Sequence, residues 1–134
     1  MLYRNLYKST RLITLFIFLT IIFSTSQADY IAGEKANSKG DRVTAFKEFH
    51  AAALNKDKRA YGKLGSMYLY GLGTTKDYQQ AYVWFELAHL SGEKEGERFR
   101  NAASSMLSRD EYLMAKALAE TQRKNFNINK VPPQ

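Results

Sequence analysis

A chain of 134 residues, 45% of them hydrophobic and 25% charged, has the size and apolar fraction of one compact domain and excludes a disordered polymer. Its formal charge is +7, but three basic residues and no acidic ones precede Asp29, so the remainder carries only +4, short of the clustered basic stripe that makes nucleic acid the default partner. The absence of cysteine excludes a disulfide framework, a thiolate nucleophile and a cysteine zinc site.

The first 28 residues place Arg4, Lys8 and Arg11 ahead of a largely apolar run from Leu12 to Phe23, broken only by Thr14 and Thr20, followed by Ser26 and Ala28 two positions apart. This is the layout of a secretory signal peptide, with cleavage expected after Ala28 and a periplasmic or secreted product. The run is shorter than the ~20 apolar residues of a membrane span. If the segment stays uncleaved, the alternative is a domain anchored at the outer face of the inner membrane, and membrane contact is expected only then.

From Asp29 onward the chain carries helix signals. Proline is absent until Pro132, and no Asn-Gly or Asp-Gly turn separates alternating runs. After Asp41, the residues Ala45, Phe46, Phe49, Ala52 and Ala53 share one helical face. Leu64 and Tyr68 then lie one turn apart, with Gly65 between them removing a side chain where a neighbouring helix can approach. Gly71 and Gly73 stop that helix, and Asp77 restarts the chain as an N-cap, with Gln80 placed to close a capping box. Ala81, Tyr82, Phe85 and Ala88 repeat the one-face pattern up to Gly92. Ser108 with Glu111 forms a second capping box, and Tyr112, Ala115, Leu118 and Ala119 give the stripe of a closing helix. The tail from Arg123 to Gln134 reads as polar and disordered.

Shifting the first stripe by 36 residues lays Asp41 on Asp77, Ala45 on Ala81, Phe46 on Tyr82, Phe49 on Phe85, Ala52 on Ala88 and Leu54 on Leu90. A fixed period of this length marks a solenoid of stacked helix pairs. The order Leu64, Gly65, Tyr68, Gly71, Gly73, Asp77, Ala81, Trp84, Phe85, Ala88 and Gly92 resembles the motif of Sel-one-like repeats, relatives of the tetratricopeptide repeats. The expected fold is therefore all-α: a short α-solenoid of antiparallel, tetratricopeptide-like helix pairs with a C-terminal capping helix. Residues 29–57 read as a degenerate first repeat, 58–92 as a well-matched one, 93–122 as a terminal capping pair and 123–134 as the tail. So short a stack has little reserve of buried surface, so self-association or docking on a partner is expected.

No residue pattern announces catalysis. His50 and His89 lie at non-equivalent repeat positions without a metal-ligand neighbour at helical spacing, and no phosphate loop, nucleophile elbow or zinc-protease motif is present. "KDKR" at 56–59 and "EKEGER" at 93–98 read as a polar linker and a solvated helix start. No cofactor and no metal are expected, and the chain is not expected to be an enzyme. The resemblance implies instead a protein–protein interaction module, an adaptor or scaffold in the bacterial cell envelope. The alternatives are a periplasmic ligand-binding or cell-wall-associated protein and a membrane-held subunit of an inner-membrane complex. First helices line the concave face of such arrays, so Tyr61, Lys63, Met67 and Tyr70, taken as lying off the packing stripe, are the candidate contacts for another protein.

Overall fold

The computed structural model describes residues 29–129, so the signal-peptide reading of 1–28 lies outside the described residues. Among these residues the chain is all-helical: α1 over 29–38, α2 Arg42–Leu54, α3 Arg59–Tyr70, α4 Tyr78–Leu90, α5 Gly96–Ser104 and α6 Arg109–Asn125. Successive helices pack as neighbours, α2 on α3, α3 on α4 and α4 on α5, while α6 lies along α4. This is the short helical-repeat solenoid that the 36-residue period implies. No helix among the described residues is long and apolar enough to cross a membrane.

The helix starts follow local chemistry. Asp41 Oδ1 accepts from the Thr44 amide at 3.1 Å, and Asp77 Oδ1 accepts from the Gln80 amide at 2.9 Å. Each such cap is worth about 1 kcal/mol. The box expected at Asp77 is only half formed, because the Asp77 amide donates instead to the Tyr68 carbonyl and so ties the turn back to α3. At Ser108 both halves are present, with Glu111 returning its carboxylate to the Ser108 amide at 2.8 Å.

The helix ends share one device. After α1, α2, α4 and α6 a residue with positive φ, namely Gly40, Lys56, Gly92 and Asn127, lets the chain close the paired hydrogen bonds of a Schellman turn. Lys56 sits at φ +64, where the equivalent residue one period later is Gly92 at φ +93. The left-handed conformation costs a side-chain-bearing residue about 1–2 kcal/mol, and glycine's larger unfolded-state entropy returns part of that. Lys56→Gly is therefore expected to stabilise the domain by about 0.5–1 kcal/mol. The check is a urea midpoint that rises with no change in slope.

The core is built from the repeated stripe. Ala45 and Ala81 are fully buried, as are Ala52 and Ala88, while Phe49 and Phe85 are each 1% exposed. Phe85 lies over Gly65, where an added Cβ would stand 2.6 Å from its ring, and stacks on Phe99 of α5 at 5.3 Å. Phe49 lies over Gly33 in the same way, with an added Cβ 2.7 Å from its ring. In both pairs a glycine on the first helix lets the second helix's phenylalanine reach the backbone. The closing helix buries Ala115 and Ala119 but leaves Leu113, Met114 and, contrary to the stripe expectation, part of Leu118 exposed.

The tail differs from its expected disorder. Helix α6 runs through Arg123 to Asn125, and Phe126 and Ile128 pack against the core. The cause is the Schellman turn at Asn127, reinforced by Arg123, whose Nη1 donates to the Ile128 carbonyl at 2.7 Å. Residues 130–134 lie outside the described residues.

Candidate functional site

Helix α3 sits between α2 and α4, and that position decides which of its side chains reach solvent. Tyr61 and Met67, expected as partner contacts, are 1% and 4% exposed and belong to the core. The correction has a simple geometry. Tyr61 lies three and four residues before Leu64 and Gly65, so it extends their stripe instead of departing from it, and Met67 lies with Ala60 on a second face that a middle helix also buries. Burial pushes the Tyr61 hydroxyl up to about 12, with the nearby Asp57 carboxylate adding to the effect.

Lys63 and Tyr70 do face outward. They belong to one stripe with Arg59 and Ser66, spaced i, i+4, i+7 and i+11, and Tyr70 is 59% exposed at its end. Helix α1 borders this stripe: Lys63 Nζ stands 2.9 Å from Glu34 Oε1, and the Arg59 guanidinium lies 4.4 Å over the Tyr30 ring. Arg59 is also held by Asp57, whose carboxyl its hydrogen bonds keep below the usual range. Beyond α3, Glu93 sits against Gly62; burial raises its carboxyl and the Lys63 charge only partly opposes this. The result is a polar-aromatic shelf across α1 and α3 whose cations are paired. A recess of about 260 Å³ opens at its edge between Arg59 and Glu93.

A larger cleft of about 540 Å³ separates α4 from α6 and is lined by Tyr82, Glu86, Leu90, Lys116, Ala119 and Arg123 among others. Arg100 of α5 closes on Glu86 at 2.6 Å, and Tyr82 meets Tyr112 edge-on at 5.5 Å. Burial first and the Glu86 charge second raise the Tyr82 hydroxyl. At the end of the molecule where α3 begins, the rings of His50, Tyr61, Trp84 and Phe126 form a continuous aromatic cluster.

The motif residues occupy structural posts. Leu64, Gly65, Ala81, Trp84, Phe85 and Ala88 are buried, Tyr68 meets Phe46 edge-on at 5.3 Å, and Gly71, Gly73 and Gly92 take positive φ in the turns. Asp77 caps α4. His50 is enclosed by Phe46 and Trp84, and no group of three or more His, Asp or Glu among the described residues is placed to hold a metal. The shelf partners Tyr30 and Glu34 escaped the sequence reading because α1 precedes the recognisable repeat. The spacing of Arg59, Lys63, Ser66 and Tyr70 was the available signal for the open stripe.

Fold and surface together define a stack of antiparallel helix pairs whose exposed first-helix stripe is polar and aromatic. No family model and no solved structure matches the chain. A curated protein of Schizosaccharomyces pombe, described as an uncharacterized Sel1-like repeat-containing protein, is 42% identical over 45 residues, which are 34% of this chain. The chain spans 7% of that protein's length. The aligned stretch is long enough for one helix pair of this kind, so the similarity is to a repeat unit and not to a whole architecture.

Proposed function

We propose that this protein is a non-catalytic interaction module acting as an adaptor or scaffold, and that it works in the bacterial cell envelope. The observation that carries the reading is the shelf on α1 and α3, where exposed Tyr70 continues a stripe of Lys63, Ser66 and Arg59 beside Tyr30 and Glu34. Aromatic and arginine side chains anchor protein interfaces, and paired charges at a rim set register more than affinity. The likeness to a Sel1-like repeat protein supports an interaction role. The envelope location rests on Arg4, Lys8 and Arg11 before the Leu12–Phe23 run.

The test is an in-cell crosslink and pull-down on the full chain, with the bait's N-terminal residue identified. A bait beginning at Asp29 and one enriched envelope protein are expected. Tyr70→Ala combined with Lys63→Glu should cut that enrichment at least about tenfold, as loss of an interface anchor does, while helicity is unchanged. Equal enrichment from the variant sinks the shelf as the contact surface.

A further inference from the structure

Helix α6 has two faces of opposite character. Tyr112, Ala115 and Ala119 pack toward the core. On the other side Leu113, Met114 and Leu118 are 52%, 65% and 38% exposed. Single apolar residues are ordinary on a surface, but neighbouring ones on one helix make a patch, and patches mark interaction faces. Ala117, also exposed, sits in the middle of this one. Asp110 lies seven residues before it and Lys124 seven after, two turns away in each direction. Positions seven apart share a face, so one exposed stripe runs from an acid through apolar residues to a base.

Three features make this stripe complementary to itself. Its end charges are available: among the described residues Asp110 has no ion pair, and Lys124, its side chain 68% exposed, reaches the Glu120 carboxylate only at 3.9 Å. The Thr121 hydroxyl, on the same face, already donates to the Ala117 carbonyl at 3.0 Å, so covering it strands no donor. Ala117 places a small side chain at the midpoint, where a second helix can come close. A copy turned end for end sets Lys124 opposite Asp110 twice, whereas a parallel copy sets acid against acid and base against base. Arg109 and Lys116 lie about a quarter turn from the centre of the stripe, at its solvent edges. The surface that this charge order fits is the same helix reversed.

We propose that α6 pairs antiparallel with α6 of a second copy of this chain, about a two-fold axis at Ala117. An isologous contact of this kind closes at two copies and leaves no open end. Each Asp110 then stands by Lys124 of the other copy, while Leu113 and Met114 cover Ala117 and Thr121 across the axis. A single pair of helices buries less than the ~1,600 Å² of a standard interface, so the dimer is weak and exchanges with monomer. It adds buried apolar surface at the helix whose main neighbour is α4 alone. A dimer also carries two α1–α3 shelves, but the pairing itself does not depend on them, so the two surfaces fail independently.

The chain has no cysteine, so a single introduced one reports on its own mate. With helix axes about 10 Å apart and Cα atoms about 2.3 Å from each axis, the two Ala117 Cα atoms stand about 5 Å apart, inside disulfide range. Thr121 and its mate are offset by about 12 Å along the axis, outside that range. The full chain, expressed with residues 1–28 in place, is purified as Ala117→Cys or Thr121→Cys and oxidised with copper phenanthroline. Ala117→Cys is expected to form a disulfide dimer at least about tenfold faster than Thr121→Cys. Adding Met114→Glu should slow it at least about tenfold, as loss of an interface anchor does. In sedimentation of the cysteine-free chain, Asp110→Lys should weaken dimerisation several-fold, and Asp110→Lys combined with Lys124→Glu should restore it.

Equal rates for the two cysteines overturn the proposal, since random collision and parallel pairing both give them. So does a rate indifferent to Met114→Glu, or a wild-type chain that sediments as a monomer up to millimolar concentration. Every substituted side chain is exposed, so helicity should be unchanged. Should Ala117→Cys lose it, the charge reversal decides alone: recovery in the double variant supports the antiparallel pair, and no recovery overturns it. A monomer that still enriches its envelope partner removes this pairing and leaves the shelf standing. Intact crosslinking beside a pull-down indifferent to Tyr70→Ala with Lys63→Glu removes the shelf and leaves the pairing.

Discussion

Phe85→Ala is expected to lower the unfolding free energy by about 3–5 kcal/mol, the range for emptying a buried aromatic site. The side chain is 1% exposed, stacks on Phe99, and lies on the open backbone of Gly65. One residue thus joins α4 to the helix before it and the helix after it. Small domains hold only about 5–15 kcal/mol in total, so urea denaturation should show a midpoint falling by about a fifth or more. The partner substitution tests the same contact from the other side. A Cβ at Gly65 would stand 2.6 Å from the ring, and overpacking of this sort costs about 1–3 kcal/mol. In a Phe85→Leu background the cost of Gly65→Ala should shrink, because the flat ring that forbids the methyl is gone. Additive costs would mean that the two residues do not constrain each other.

The second helix of each pair was legible because its chemistry recurs at a fixed offset. Asp41 and Asp77 both cap, Ala45 and Ala81 are both fully buried, and Phe49 and Phe85 both cover a glycine. The first helix of the first pair was not, and the reason is turn length. Gly33 precedes Phe49 by sixteen residues, whereas Gly65 precedes Phe85 by twenty. Four extra residues in the second turn move the first helices out of register, so an offset that aligns α2 with α4 misaligns α1 with α3. The contact that defines the pair is present in both.

The site residues divide along a different line. Lys63 and Tyr70 reach solvent as expected, but Tyr61 and Met67 do not. A single apolar stripe describes a helix with one buried face, while α3 is packed by α2 on one side and α4 on the other, and so buries two. Phe126 was hidden by its surroundings. It is an isolated aromatic among Asn, Lys and Arg, and composition reads such a stretch as disordered. The signal lay in spacing, since Ala119 and Phe126 stand seven residues apart on one helical face and Asn127 supplies the left-handed residue of a helix stop.

Gly73→Ala is the substitution that should separate a turn glycine from a junction glycine. Gly73 lies at φ +74, and the atoms nearest a Cβ built there are the Arg42 carbonyl oxygen and carbon and the Val43 amide nitrogen. The long turn after α3 therefore rests on the first residues of α2, where one repeat meets the next. These obstructing atoms are backbone, so no rotamer change relieves the overlap and either the turn or the start of α2 must shift. Net of glycine's unfolded-state entropy, the left-handed conformation adds about 0.5–1 kcal/mol and the overlap about 1–3, for a combined loss of about 1.5–4 kcal/mol. Gly40 provides the control. It has φ +80 but nothing within 4 Å of a Cβ, so Gly40→Ala should lose only the conformational part, net of glycine's unfolded-state entropy, about 0.5–1 kcal/mol. At about 4–8 °C of midpoint per kcal/mol for a domain of this size, Gly73→Ala should melt at least about 6 °C below wild type and clearly below Gly40→Ala. Equal melting temperatures for the two variants would mean that the α3–α4 turn yields freely, and that the repeats are held together by their phenylalanine–glycine contacts without help from this junction.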